Sequence, residues 1–160
     1  MTLNLETQFT LGVQLILAIS LGLILGWDRE RRGQGAGLRT HMLVALGACL
    51  FTGLSIHAFP GSDPGRIASQ ILPGLGFIGA GAILRLGANI QGLTTATSIW
   101  TTAAIGMSVG AGAWFLAIIA TILAWFILAV MMQAKREIFD DNEEAGLMPL
   151  GTPPSKDQNS

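Results

Sequence analysis

The chain is short of charge. Only 12% of its 160 residues are Asp, Glu, Lys or Arg, where a soluble domain carries about a quarter. Between Leu86 and Ala134 there is no charged side chain at all. A soluble fold of this size needs a charged surface, and the composition excludes one. Net charge is −1, so the bulk electrostatic signature of a nucleic-acid binder is absent. The single cysteine, Cys49, excludes an internal disulfide and the usual structural zinc site; it reads as a packing residue. The first eight residues carry only Glu6, and the apolar run that follows continues to Trp27 without a clear cleavage site. A secretory signal peptide, which needs a basic leading region, is not expected. No nucleophile–base pair and no metal-ligand spacing is visible. An enzyme is therefore not expected, and no catalytic residue, metal or cofactor is assigned. His41 and His57 flank an apolar segment and read as interfacial or packing residues.

What remains is apolar, at 51% of the chain. The uncharged run from Leu86 to Ala134 is too long for one helix and long enough for two bilayer crossings of about 20 residues each. Five crossings are expected: about Phe9 to Trp27, His41 to Phe59, Ile67 to Leu84, Leu93 to Val109 and Trp114 to Met132. The expected fold class is an all-α polytopic membrane protein with residues 1–136 as a five-helix membrane domain. Residues 137–160 are expected to form a short acidic cytoplasmic tail, disordered after a turn or two.

A charge knot sits between the first two crossings: Gly26-Trp27-Asp28-Arg29-Glu30-Arg31-Arg32, then glycine-rich chain to Arg39 and Thr40. With five crossings the knot, Arg85, Lys135 and Arg136 share one side, and Arg66 lies on the other. The excess of Lys and Arg marks the cytoplasmic side, which puts the N-terminus outside and the C-terminus inside. Within the knot, Asp28 and Arg32 stand four residues apart in the favoured order for a helical ion pair, worth about 0.3–0.5 kcal/mol.

Glycine is placed regularly. Gly22 with Gly26 and Gly106 with Gly110 make two GxxxG pairs, which let helix backbones approach in lipid. Packing inside one subunit and a homodimer face both fit them. The third segment carries Pro73, Gly74, Gly76, Gly79 and Gly81, a pattern expected to kink or break a helix; Gly76, Gly79 and Gly81 are candidate packing glycines. The fourth begins with a cluster of hydroxyls, of which Thr94, Thr97 or Ser98, and Thr101 fall on one face at helical spacing. They fit either helix–helix bonding or a water-filled path. Asp28, Glu30 and Asp63 all read as interfacial, so no carboxylate cage for magnesium is visible within the bilayer. Arg39, Arg66 and Arg85 read as half-buried charges suited to phosphate, carboxylate or lipid headgroups. Two separate polar clusters are expected, with Arg39 and Arg85 near one face and Arg66 near the other.

These segments together resemble the MgtC/SapB family of bacterial inner-membrane proteins. The resemblance rests on Leu25-Gly26-Trp27-Asp28-Arg29-Glu30-Arg31, on Ala36-Gly37-Leu38-Arg39-Thr40 and on the stretch from Asp63 to Gln70. The glycine run from Gly74 to Gly81 and Gly92-Leu93-Thr94-Thr95-Ala96-Thr97-Ser98-Ile99-Trp100 complete it. It covers about residues 10 to 133. It implies a multi-pass inner-membrane location, a role in growth under magnesium limitation and in virulence, and restraint of the ATP synthase as a partner complex. A small oligomeric transporter or channel for magnesium, protons or an anion such as phosphate is the other reading. Better-known members carry a C-terminal ACT-like domain that does not follow the fifth segment here. Thr94 stands where asparagine is frequent, and Leu86 follows Arg85 where an acid is common. The candidate polar residues are Asp28, Glu30, Arg39, Arg66, Gln70, Arg85, Asn89, Thr94 and Thr95. The expected partners are the bilayer, a membrane complex and other copies of the chain, and not nucleic acid.

Overall fold

The computed structural model describes residues 3–59, 61, 63, 65–86 and 89–144, and of residues 67, 84, 86, 89 and 131–144 it describes the backbone. Two units divide the chain, Met1–Phe126 and Ile127–Ser160. The element order is α1 (Leu5–Arg31), α2 (Leu38–His57), α3 (Gly65–Ala68), α4 (Ile71–Gly81), β1 (Leu84–Leu86), β2 (Asn89–Gln91), α5 (Leu93–Gly110) and α6 (Trp114–Glu144). The fold is thus helical, with one short hairpin among the described residues.

Helix α1 starts where Asn4 accepts the Thr7 N–H at 2.9 Å, a side-chain cap for an otherwise orphaned donor. Its 27 residues reach about 40 Å, beyond the roughly 30 Å of a hydrocarbon core. The helix therefore continues past the apolar run and takes in the first half of the charge knot. Helix α2 begins under a second cap. Glu30 accepts the Leu38 N–H at 2.9 Å, placing a carboxylate at the positive end of the helix. Replacing Glu30 with Ala is expected to cost about 1 kcal/mol, the usual worth of a cap, read as a lower Tm for the purified chain. α1 and α2 are both long and apolar enough to cross a membrane.

The expected third crossing is interrupted. α3 is a four-residue helix, Ser69 and Gln70 form a turn, and α4 runs only from Ile71 to Gly81. Eleven residues span about 16 Å. Pro73 does not break the helix, because it stands third in α4, where the backbone N–H has no intrahelical acceptor in any case. The break falls at Ser69–Gln70 instead. Beyond α4 the expected loop is an antiparallel hairpin pairing Leu84 with Gln91, Arg85 with Ile90 and Leu86 with Asn89. Strands of three residues are too short to show a period in sequence. Gly92 closes the hairpin with φ +86° and lies against the Ala82 carbonyl oxygen, so that a Cβ would collide with it. Only glycine suits both conditions.

α2 packs on both α1 and α5; α3 packs on α2, and α4 on α5. Small residues set these distances. A Cβ at Gly22 would stand 2.7 Å from the His41 carbonyl oxygen, and one at Gly26 would stand 2.7 Å from the Leu38 Cα. Gly106 meets the Ala45 carbonyl and Gly110 the Cys49 carbonyl at still closer range. Both GxxxG pairs are thus occupied inside one subunit, on the two sides of α2, rather than left for a second copy. Gly79 touches Ala96, whereas Gly76 and Gly81 have nothing within 4 Å of an added Cβ. Among the described residues an added Cβ at either of those two would meet no other helix. A core cluster joins Ala36, Ala48, Leu75, Ile99 and Ala103.

Outward faces are apolar. α1 exposes Leu5, Phe9 and Ile16, and α6 exposes Phe115, Ile122 and Phe126, while Ala117, Thr121 and Ala124 are buried. Large side chains outside and small ones inside invert the pattern of a soluble bundle. α6 continues to Glu144, so the start of the acidic tail is helical; the expectation for 145–160 lies outside the described residues.

Candidate functional site: a buried arginine node between three helices

Among the described residues the most enclosed arginine is Arg29, at 1% exposure. It extends the buried stripe of α1, following Leu25 by four residues and Gly26 by three. Its Nη2 donates to Thr95 Oγ1 of α5 at 3.0 Å and to Gln34 Oε1 at 3.1 Å. Its Nε is buried without a partner among the described residues. Both acceptors are neutral. The neighbouring carboxylate does not bond it: Asp28 Oδ1 instead accepts from Arg32 Nε at 2.9 Å. The other oxygen, Asp28 Oδ2, is buried and also unpartnered.

His41 completes the node from α2. It is fully enclosed, at 0% exposure, with Nδ1 2.9 Å from the Gly37 carbonyl oxygen and Nε2 3.2 Å from Ser98 Oγ. Ser98 in turn donates to the Thr95 carbonyl at 2.8 Å. Thr95 therefore accepts from Arg29 with its side chain and from Ser98 with its backbone. The result is a polar junction where the C-terminal end of α1 and the N-terminal ends of α2 and α5 meet.

Sequence reasoning placed the half-buried charges elsewhere. Arg39, Arg66 and Arg85 are exposed, as are Glu30, Gln70 and Thr94, and Asp28 is intermediate. The side chain of Asn89 lies outside the described set. Of the candidates, Thr95 enters the node directly, and Asp28 and Glu30 flank it on α1. His41, read as interfacial or packing, is a buried member of the node, while His57 is exposed. The hydroxyl face of α5 also differs. Thr95, Ser98 and Thr102 point inward, whereas Thr97 bonds the Leu93 carbonyl and Thr101 the Thr97 carbonyl of their own helix. One signal was available: if α1 continues beyond Trp27, Arg29 falls on the stripe of Ala18, Leu21, Gly22, Leu25 and Gly26.

Chemically, a buried guanidinium with a spare N–H offers a donor to an anionic or carbonyl oxygen. Among the described residues no group of three or more His, Cys, Asp or Glu comes together. A guanidinium with a spare N–H among neutral oxygens makes an anion-facing or structural node.

The model of the MgtC family matches residues 15–137, a span that contains the whole node. The chain belongs to the MgtC family. Protein YhiD of Escherichia coli (strain K12) is 44% identical over 138 residues, covering 81% of this chain and 64% of that relative. Protein MgtC of Salmonella typhimurium (strain LT2) is 43% identical over 131 residues, 82% of this chain and 56% of the relative. Protein MgtC of Brucella abortus (strain 2308) is 45% identical over 113 residues, 71% of this chain and 46% of the relative. The chain thus spans about half to two thirds of the length of these MgtC-family relatives. No solved structure matches it. With two apolar helices long enough to cross a bilayer, it is a membrane protein of the MgtC family.

Proposed function

We propose that the chain is a five-crossing protein of the bacterial inner membrane that binds and regulates another membrane complex, without enzymatic activity of its own. Its N-terminus lies outside and its C-terminus in the cytoplasm, by the distribution of Lys and Arg. The ATP synthase is the complex that the family resemblance implies, and growth under magnesium limitation and virulence are the setting it implies. One observation carries this reading. α1, α2 and α5 close on each other through glycine–carbonyl contacts, while α4 leaves Gly76 and Gly81 open and holds Phe77 out at 85% exposure. A glycine-rich face with one projecting aromatic suits a helix of another protein. Affinity purification from native membranes in mild detergent should recover a stoichiometric membrane complex. Phe77→Ala should lower that recovery about tenfold, as for a central interface aromatic. Recovery of no such partner would defeat the reading.

A small transporter or channel, oligomeric in the membrane, is the second reading. The unpartnered Nε of Arg29 favours it, and favours an anion as cargo. The name of YhiD proposes magnesium transport for that relative. Flux of phosphate, magnesium or protons into proteoliposomes above that of empty vesicles would support it, and equal flux would remove it.

A further inference from the structure

A cavity of about 490 Å³ lies between α2 and α4, away from the arginine node. One wall is Leu43, Gly47 and Phe51 of α2, and the other is Gln70, Gly74 and Ile78. Each wall is a row at four-residue spacing, which stacks along one helix face. Each has glycine at its middle tier, and a Cβ at Gly47 or Gly74 would meet nothing within 4 Å. Ala48 and Leu75, both buried, make the floor. The groove exists because two glycines are aligned across it.

Its dimensions select the occupant. Eight residues of helix span about 12 Å, so the groove is two turns long, and its width is that left by one missing side chain on each wall. A slender alkyl chain suits it. The lining is apolar except for Gln70, and Arg66, also exposed, stands four residues earlier on α3, across the Ser69–Gln70 turn. Among the described residues Arg66 makes no ion pair: the ion pair there is Arg32–Asp28. An apolar slot with an amide at one end, preceded by a short helix that carries an exposed guanidinium, matches the two halves of an acidic lipid.

We propose that this groove is a binding site for an anionic phospholipid. An acyl chain lies between α2 and α4 across Gly47 and Gly74, and the phosphate is met by Arg66 and Gln70. The site is separate from the exposed Phe77 face and does not depend on the regulatory reading above.

The test is native mass spectrometry of the full chain released from nanodiscs, with phosphatidylglycerol and phosphatidylcholine as the probes. Wild type is expected to retain phosphatidylglycerol in preference to phosphatidylcholine. Gly74→Leu has room for its Cβ and projects its side chain into the slot, and should reduce retention of both lipids about tenfold. Arg66→Gln should remove the preference for phosphatidylglycerol, by about tenfold for one charge-assisted bond. Gly12→Leu, at an equally open glycine of α1 outside the groove, should change nothing and controls for folding. Retention unaffected by Gly74→Leu would overturn the site. Loss of preference with Arg39→Gln instead of Arg66→Gln would overturn the headgroup placement. If Gly74→Leu abolished a dimer and left lipid retention unchanged, the groove would belong to a second copy and the proposal would fall.

Discussion

Gly106→Ala is expected to destabilise the protein by about 2–3 kcal/mol, at the upper end of the usual cost of overpacking. For a chain of this size that is on the order of 5–10 °C in Tm. The sign is the informative part. In a helix interior Ala is about 1 kcal/mol more favourable than Gly, so the local effect should be stabilising. At Gly106 the new methyl group would meet the backbone carbonyl of Ala45. A backbone atom cannot swing aside as a side chain can, so α5 and α2 must separate. Moving them also disturbs Gly110, which faces the Cys49 carbonyl one turn further on. Gly76→Ala is the matched comparison. It lies in α4 with nothing near an added Cβ, so the propensity gain should appear there alone and Tm should hold or rise. Thermal unfolding of both variants in one detergent measures the difference. Equal Tm values would show that the α2–α5 approach is looser than described. A lost dimer with an unchanged monomer fold at Gly106→Ala would move that glycine to an interface between copies.

Much of this packing was legible, because it is written in spacing. The GxxxG pairs, the ion pair of Asp28 with Arg32, and the starts of α5 and α6 follow from local pattern, and each is governed by neighbours a turn or two away. The node was less legible because it depends on where a helix stops. Hydropathy ends the first segment at Trp27, yet the backbone continues to Arg31. That single turn decides which of the clustered arginines faces inward. The α5 hydroxyls show the same sensitivity. A shift of one residue separates the face of Thr94, Thr97 and Thr101 from the buried face of Thr95, Ser98 and Thr102, and the sequence weights the two alike. The interruption at Ser69–Gln70 was masked by Pro73 and the glycines, which carry the stronger local signal. The hairpin after α4 was invisible for another reason. Its pairing is non-local on the scale of its own strands, and Gly92 is required by a contact with Ala82, ten residues earlier.

Arg29→Met should leave Tm within about 1 kcal/mol of wild type, or raise it, while abolishing function. A buried charge bonded only to neutral groups is expensive, and replacing such groups with apolar side chains of similar size is often neutral or stabilising by about 1–4 kcal/mol. Arg29 has two neutral acceptors and a buried N–H with no partner. Its place in the last turn of α1 returns some of that cost through the helix dipole, typically about 0.3–1 kcal/mol. Of the groups left behind, Asp28 loses a favourable neighbouring charge but keeps its ion pair with Arg32, and the two acceptors lose little. Gln34 is only partly buried and can turn to water. Thr95 can bond a carbonyl of its own helix, as Thr102 does with Ser98 at 2.8 Å. A group kept at net expense is kept for what it does, and that is the reasoning applied to ionisable residues in membrane segments generally. Arg29→Lys separates charge from geometry, since an ammonium keeps the charge but lacks the planar guanidinium and its Nε–H. Tm of the purified variants and growth under magnesium limitation are the paired readouts. Normal growth with Arg29→Met would make the node dispensable to function. A Tm lower by about 10 °C or more, equivalent to roughly 3 kcal/mol, would make Arg29 a strut that holds α1 to α5.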